Sequence, residues 1–137
     1  MQLTKEAVAG VVDVYIRAWV GQDPDLITTV FTEDATYHER VMDDPVILGH
    51  DGIRAYWRSK VVESQAHISC QLLSLYLDGT TAIAEWEAEF DDVAEGVRKR
   101  MREVAILEFR GDRIEHLREY WSTQTVAASA STAQLPR

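Results

Sequence analysis

The stretch "EWEAEFDDVAEGVRKRMREV", residues 85–104, alternates charged and apolar side chains and reverses the sign of its charge halfway along. In an extended chain successive side chains point to opposite faces, so Glu85, Glu87, Glu89 and Asp91 share one face of a strand, and Arg98, Arg100 and Arg102 share one face of the next. A four-residue loop from Val93 to Gly96 sets Asp91 opposite Arg98, Glu89 opposite Arg100 and Glu87 opposite Arg102. Each such pair adds about 0.2–1 kcal/mol. A slip of one residue would set Glu87 against Glu103 and Glu89 against Met101, so the charges themselves select the antiparallel register. The run "RKRMR" is therefore read as one side of an ion-pair ladder and not as a phosphate site. The other face of the hairpin carries Ala84, Trp86, Ala88 and Phe90 on one strand and Met101, Glu103, Ala105, Leu107 and Phe109 on the other. Glu103 is the exception on that apolar surface. A carboxylate there must be solvated by a cavity, paired or held neutral, because burying an unpaired charge is very costly.

Working outward, period-two alternation starts after His67 and marks four strands: "AHISCQLLSLYL", "TAIAEWEAEFDD", "VRKRMREVAILEF" and "RIEHLREYWSTQ". Helical spacing precedes them. Val8, Val11, Val12, Tyr15 and Trp19 recur on one face, with Thr4 as N-cap, Leu3 and Val8 placed as a staple, and Gly21 past the end. "DPDLITTVF" predicts a shorter helix capped by Asp23, with Pro24 at its first position. The acidic "TED" is read as a turn leading into an opening strand, and "GHDGIRAYWRSKVV" as a further helix. Helices followed by a meandering antiparallel sheet make the class α+β. A single domain over residues 1–125 is expected, with 126–137 as a flexible C-terminal tail of small and polar residues.

The chain has 137 residues, 46% of them apolar, which suits one domain. Its net charge of −9 disfavours nucleic acid and anionic membrane surfaces as partners, since both would repel it. No apolar run reaches the roughly 20 residues of a spanning helix, and the first residues do not read as a signal peptide, so a cytoplasmic location is expected. The lone Cys70, within "ISCQLL", is read as a small buried side chain.

The phrases "VVDVYIRAWVGQDPDLITTVFTEDATYHE", "GHDGIRAYW" and "GDRIEHLREYW", in that order and spacing, resemble the nuclear transport factor 2-like superfamily and, within it, the SnoaL-like branch. The resemblance runs from about Val8 to Gln124. It implies a cone, in which a strongly curved sheet wraps around the helices and leaves a pocket in its open end. It further implies a homodimer through the outer sheet face. The branch includes polyketide cyclases, ketosteroid isomerase, limonene-epoxide hydrolase and scytalone dehydratase, which work without cofactors, and also members with no chemistry.

Carried over by position, the resemblance puts Tyr15 where the isomerase has its oxyanion-hole tyrosine and Glu39 where it has its general base. The isomerase's second oxyanion donor falls on Ala105, with Glu103 one same-face step away as a substitute. The arginine and aspartate of the epoxide hydrolase fall on Trp86 and Ala88, so that dyad is missing, while its remaining aspartate falls on Glu119. Trp57 and Trp121 fall on aromatic pocket walls. Ile114 and Leu117 mark opposite faces of their strand, and only the resemblance turns Leu117, Glu119 and Trp121 inward.

On this reading Tyr37 and Glu39 face the cone while His38 and Arg40 point away. Desolvation among aromatic walls would raise the pKa of Glu39 toward the range useful for proton transfer. The candidate catalytic residues are Glu39, Tyr15, Glu103 and Glu119, and the candidate substrate contacts are Trp19, Tyr37, Trp57, Trp86 and Trp121. His38, His50, His67 and His116 share no ligand spacing, so no metal is expected. No Gly-rich phosphate loop occurs, so no nucleotide cofactor is expected, and the resemblance implies no cofactor of any kind. Two functions compete. One is a cofactor-independent enzyme acting by general acid–base chemistry on a small apolar carbonyl, enol or epoxide compound. The other is a non-catalytic ligand-binding or dimeric accessory domain.

Overall fold

The computed structural model describes residues 2–42 and 45–128. Helix α1 spans Lys5–Val20 and starts at Thr4, whose hydroxyl accepts the Ala7 N–H at 3.1 Å. Its periodic face, Val8, Val12, Tyr15, Ala18 and Trp19, is buried. Helix α2, Pro24–Thr28, is capped by the Asp23 carboxylate, which accepts the N–H groups of Asp25 and Leu26. Strand β1 is Phe31–His38, β2 is the two-residue Ile47–Leu48, and helix α3 is Gly49–Trp57. A π-helical turn over Arg58–Val62 follows α3, so the helix expected as far as Val62 widens after Trp57. Gly49 opens α3 at φ +69°, and a Cβ there would lie 3.1 Å from the Glu33 carbonyl oxygen, so this turn requires glycine.

Four long strands complete the chain: β3 Gln65–Asp78, β4 Thr81–Asp92, β5 Val97–Arg110 and β6 Arg113–Ala128. They form one six-stranded sheet in the order β2-β1-β6-β5-β4-β3, antiparallel throughout except where β1 runs parallel to β6. The hairpin register is the one the charges select: Asp91 faces Arg98, Glu89 faces Arg100, Glu87 faces Arg102, and Trp86 faces Glu103. Arg98 pairs with Asp91 at 3.1 Å and Arg102 with Glu87 at 2.8 Å. Register irregularities interrupt β3 and β6, and such bulges increase local twist and bend a sheet. The curved sheet receives α1 against β3 and α3 against β1, and the core between them holds Trp57, Trp86, Phe31, Ile53 and Leu107.

Two expectations are corrected, and one strand is added. "TED" is not a turn but part of β1, because Phe31 pairs with Ile114 and the acidic pair Glu33 and Asp34 projects outward at an irregularity in that pairing. β2 was not legible, since two residues carry no periodicity. The boundary expected at residue 125 falls inside β6, which stays paired with β5 as far as Val97 and Ala128. Residues 129–137 of the expected tail lie outside the described residues. Among the described residues no helix is long and apolar enough to cross a membrane.

Candidate active site

A cavity of about 80 Å³ opens between α1, α3 with its π-helical turn, and strands β1, β5 and β6. That is room for about three water molecules at roughly 30 Å³ each. At its base the Glu119 carboxyl, 7% exposed, accepts the Tyr37 hydroxyl at 2.7 Å and the Tyr15 hydroxyl at 2.9 Å, both on Oε1. The two hydroxyl oxygens are 3.0 Å apart. Each hydroxyl has one proton, so when Glu119 is ionised both protons point at it, and the two oxygens have none to share. Glu119 reaches this place through a bulge. Glu108 pairs with His116 and Phe109 with Ile114, which leaves Glu115 as an extra residue in β6. Ile114 and Leu117, three apart, are thereby both buried, and Leu117, Glu119 and Trp121 continue on the inner face.

Glu103 enters from β5 and is 3% exposed. Desolvation holds its pKa well above the carboxylate range, and the charges of Glu119 and Glu39 add to the shift. The Trp86 indole lies close enough to favour the charged form a little, but neither its Nε1 nor Glu103 Oε2 makes a well-formed hydrogen bond. Burial pushes Glu119 up to about 7, against the two tyrosine hydrogen bonds that lower it and with the charge of Glu39 raising it further. The tyrosines respond in the same sense. Burial, then the Glu119 charge, holds Tyr15 and Tyr37 well above the usual phenol value, so both stay hydrogen donors. The site thus pairs a carboxyl pushed up to about 7 with a second that burial holds well above the usual carboxylate range.

At the mouth, Glu39 sits just past the end of β1, 13% exposed, with the Arg40 guanidinium 3.3 Å away. Arg40 was expected to point away from the cone. Strand alternation stops at His38, however, and its guanidinium instead lies 5.1 Å over the Trp121 ring. The Trp121 indole N–H donates to the Glu39 carbonyl at 3.1 Å, and the Trp19 indole N–H to Gln65 at 2.8 Å.

The family model for the SnoaL-like domain matches residues 12–117. The chain belongs to the SnoaL-like domain family. Solved structures share this domain's fold at low identity. One is a hypothetical protein with a ketosteroid isomerase-like fold from Catenulispora acidiphila, in complex with trimethylamine (TM-score 0.71, 18% identity, 92% of this chain and 93% of that one). Another is the epoxide hydrolase/cyclase-like enzyme SalBIII of pyran ring formation in the polyether salinomycin (0.75, 23%, 88% and 97%). A third is an LEH-like epoxide hydrolase of M. tuberculosis (0.69, 18%, 87% and 84%). A comparison with curated proteins returns no match.

In this SnoaL-like domain Tyr15, Trp19, Tyr37, Glu39, Trp57, Glu103, Glu119 and Trp121 all line the cavity. Trp86 does not. It is fully buried in the core and packs its ring against that of Tyr15 at 5.0 Å, so it supports the site from beneath. Tyr15 donates its hydroxyl proton to Glu119. Sequence reasoning missed Tyr56, Lys60 and Gln65 as lining residues. Tyr56 was legible only as part of a helical face, and Lys60 turns to the cavity through the π-helical turn that no spacing announced. Tyr56 has its hydroxyl pKa raised by burial first, then by the charges of Glu119 and Glu39 and a hydrogen bond to Glu39. The described residues hold no group of three or more His, Cys, Asp or Glu arranged to hold a metal ion.

Proposed function

We propose that this SnoaL-like domain is a cofactor-independent enzyme that moves a proton on a small molecule, with Glu119 as the base. The reaction class is an isomerisation, cyclisation, dehydration or epoxide opening. The observation that carries the reading is the buried Glu119 carboxyl, held by Tyr15 and Tyr37 and pushed up to about 7, beside the still more strongly raised Glu103. Two carboxyls with separated titrations divide naturally into a base and an acid. For a carbonyl substrate, ionised Glu119 takes a proton from the carbon next to the carbonyl, and the electron pair moves onto the carbonyl oxygen. Protonated Glu103 donates to that oxygen and stabilises the charge. Tyr15 and Tyr37 are positioning residues, and Glu39 raises the Glu119 pKa from the mouth. Trp19, Trp57 and Trp121 supply the apolar walls.

The test is hydrogen exchange. In heavy water the protein should catalyse deuterium uptake next to the carbonyl of cyclopentanone or a related small ketone, followed by NMR. The rate should rise about tenfold per pH unit below 7 and level above it, and Glu119→Gln should lower it by about 100-fold or more. Small epoxides form the second arm, read as diol formation. A wild-type protein that binds such compounds but neither exchanges nor opens any of them is a binding domain, and the enzyme reading fails.

Homodimerisation belongs to the same proposal. Tyr76, Ile83, Val104 and Tyr120 are exposed on the outer sheet face, where Tyr76 pairs with Ile83 and Val104 with Tyr120. A two-fold contact would cover this apolar strip beside the ion-pair ladder.

A further inference from the structure

We propose that the cavity takes a ligand bearing a protonated amine, with the ammonium seated between Glu103 and Glu119. This rests on the reading of the cavity as a ligand site and names the chemical class that fits it.

The first support is the inventory of hydrogen-bonding groups. Donors on the wall are mostly committed: Tyr15 and Tyr37 to Glu119, Trp19 to Gln65, and Trp121 to the Glu39 carbonyl. Two buried groups of the lining residues are left unpartnered, the acceptor Glu103 Oε2 and one donor, the Trp57 indole N–H. A neutral carbonyl ligand can accept from the Trp57 indole or from protonated Glu103, but it offers no donor to either carboxyl once ionised. An ammonium group brings three donors of its own.

Charge and aromatic surface act in the same direction. Glu39 from the end of β1, Glu103 from β5 and Glu119 from β6 converge on one small space. Tyr15 from α1, Tyr37 from β1 and Tyr56 from α3 stay neutral beside them. The cations that reach the site are Lys60, exposed on the π-helical turn, and Arg40, which is drawn to Glu39. Aromatic rings attract a desolvated cation, and the Arg40 guanidinium over Trp121 is an instance already present at the mouth. The net charge of −9 raises the local concentration of any cationic ligand.

Protons then give the inference its signature. An ammonium group favours ionised carboxyls, so it expels the proton that Glu119 holds below about pH 7. Its affinity must climb with pH through that range. A neutral ketone that accepts a hydrogen bond from protonated Glu103 has the opposite or no dependence.

The experiment compares cyclopentylammonium with cyclopentanone, two ligands of equal size, by calorimetry on the full chain at pH 5.5, 6.5 and 7.5. Two buffers of different ionisation enthalpy count the protons released. Cyclopentylammonium should bind at least tenfold more tightly than the ketone at pH 7.5, lose about tenfold or more by pH 5.5, and release close to one proton per ligand at pH 6.5. Glu119→Gln should bind it more weakly and without pH dependence. The wild-type proton count stands alone if that variant does not fold. Equal or tighter binding of the ketone at pH 7.5, or amine binding independent of pH, overturns the inference. Ketone binding and exchange without amine binding overturns it while leaving the acid–base function intact. If neither compound binds at millimolar concentration, the cavity is not a site for either and both readings fall.

Discussion

Glu119 is pushed up to about 7 and so is close to half-protonated near neutral pH, because burial opposes its charge more than the Tyr15 and Tyr37 hydroxyls favour it. The linkage has a definite sign. In the unfolded chain this carboxyl ionises near 4.5, and in the folded protein near 7, so the folded state binds the extra proton between those values. Below about pH 4 both states are protonated and the group contributes nothing. As pH rises through both values the fold loses stability, by roughly 3 kcal/mol in the limit, and the penalty is complete above 7. Glu119→Gln removes that titration. Its stability relative to wild type should therefore improve from pH 4 to pH 8 by up to about 3 kcal/mol, read from urea denaturation at the two ends. A relative stability unchanged with pH would show that Glu119 ionises normally in the fold. Tyr37→Phe makes the complementary prediction. Loss of the donor that most strongly favours the charged form should move the Glu119 midpoint upward by about one pH unit, visible in the carbon NMR titration of its side-chain carboxyl. Glu103 should titrate as the second, higher step of an interacting pair in the same experiment.

The ion-pair ladder between β4 and β5 looks uniform in sequence and is not uniform in the fold. Asp91 is only 2% exposed and accepts both the Arg98 guanidinium at 3.1 Å and the His67 ring at 2.7 Å, where β3 bulges and His67 adopts φ +51°. Arg98 also donates to the His67 carbonyl at 3.0 Å, so one side chain ties the bulge to the hairpin. Arg102 makes equally short contacts, to Glu87 at 2.8 Å, but in solvent. Geometry alone would rank these arginines together. Burial separates them, because removing the partner of a buried carboxylate leaves a charge that water cannot reach. Arg98→Ala should cost about 2 kcal/mol in urea denaturation and change little with salt. Arg102→Ala should leave the midpoint nearly unmoved and lose any effect in 1 M salt. Equal effects of the two substitutions would overturn this ranking.

At the scale of the whole molecule, the helices cover one face of the sheet and leave the other to the ladder and to Tyr76, Ile83, Val104 and Tyr120. Sedimentation equilibrium at micromolar concentration should return a dimer, and Tyr120→Lys should shift it to monomer without altering the far-ultraviolet circular dichroism. A wild-type monomer would remove the proposed interface. The α+β class, both helix caps and the β4–β5 register followed from sequence alone, because they depend on neighbours within a turn or across one hairpin. Thr4, Asp23 and the Glu–Arg alternation act at that range. The membership of Tyr15, Glu103 and Glu119 in one site was legible only through resemblance. Which carboxyl is buried and pushed up to about 7 was decided by tertiary structure. Glu39 has an apolar-strand context in sequence but stands at the mouth, whereas Glu119 is carried to the base by an extra residue, Glu115, that breaks the alternation of β6. Bulges, the π-helical turn at Lys60 and the strand pairing that absorbs "TED" are settled by partners distant in the chain. Alternation assigns each residue a face only while the strand is regular, and a single inserted residue reverses every assignment beyond it.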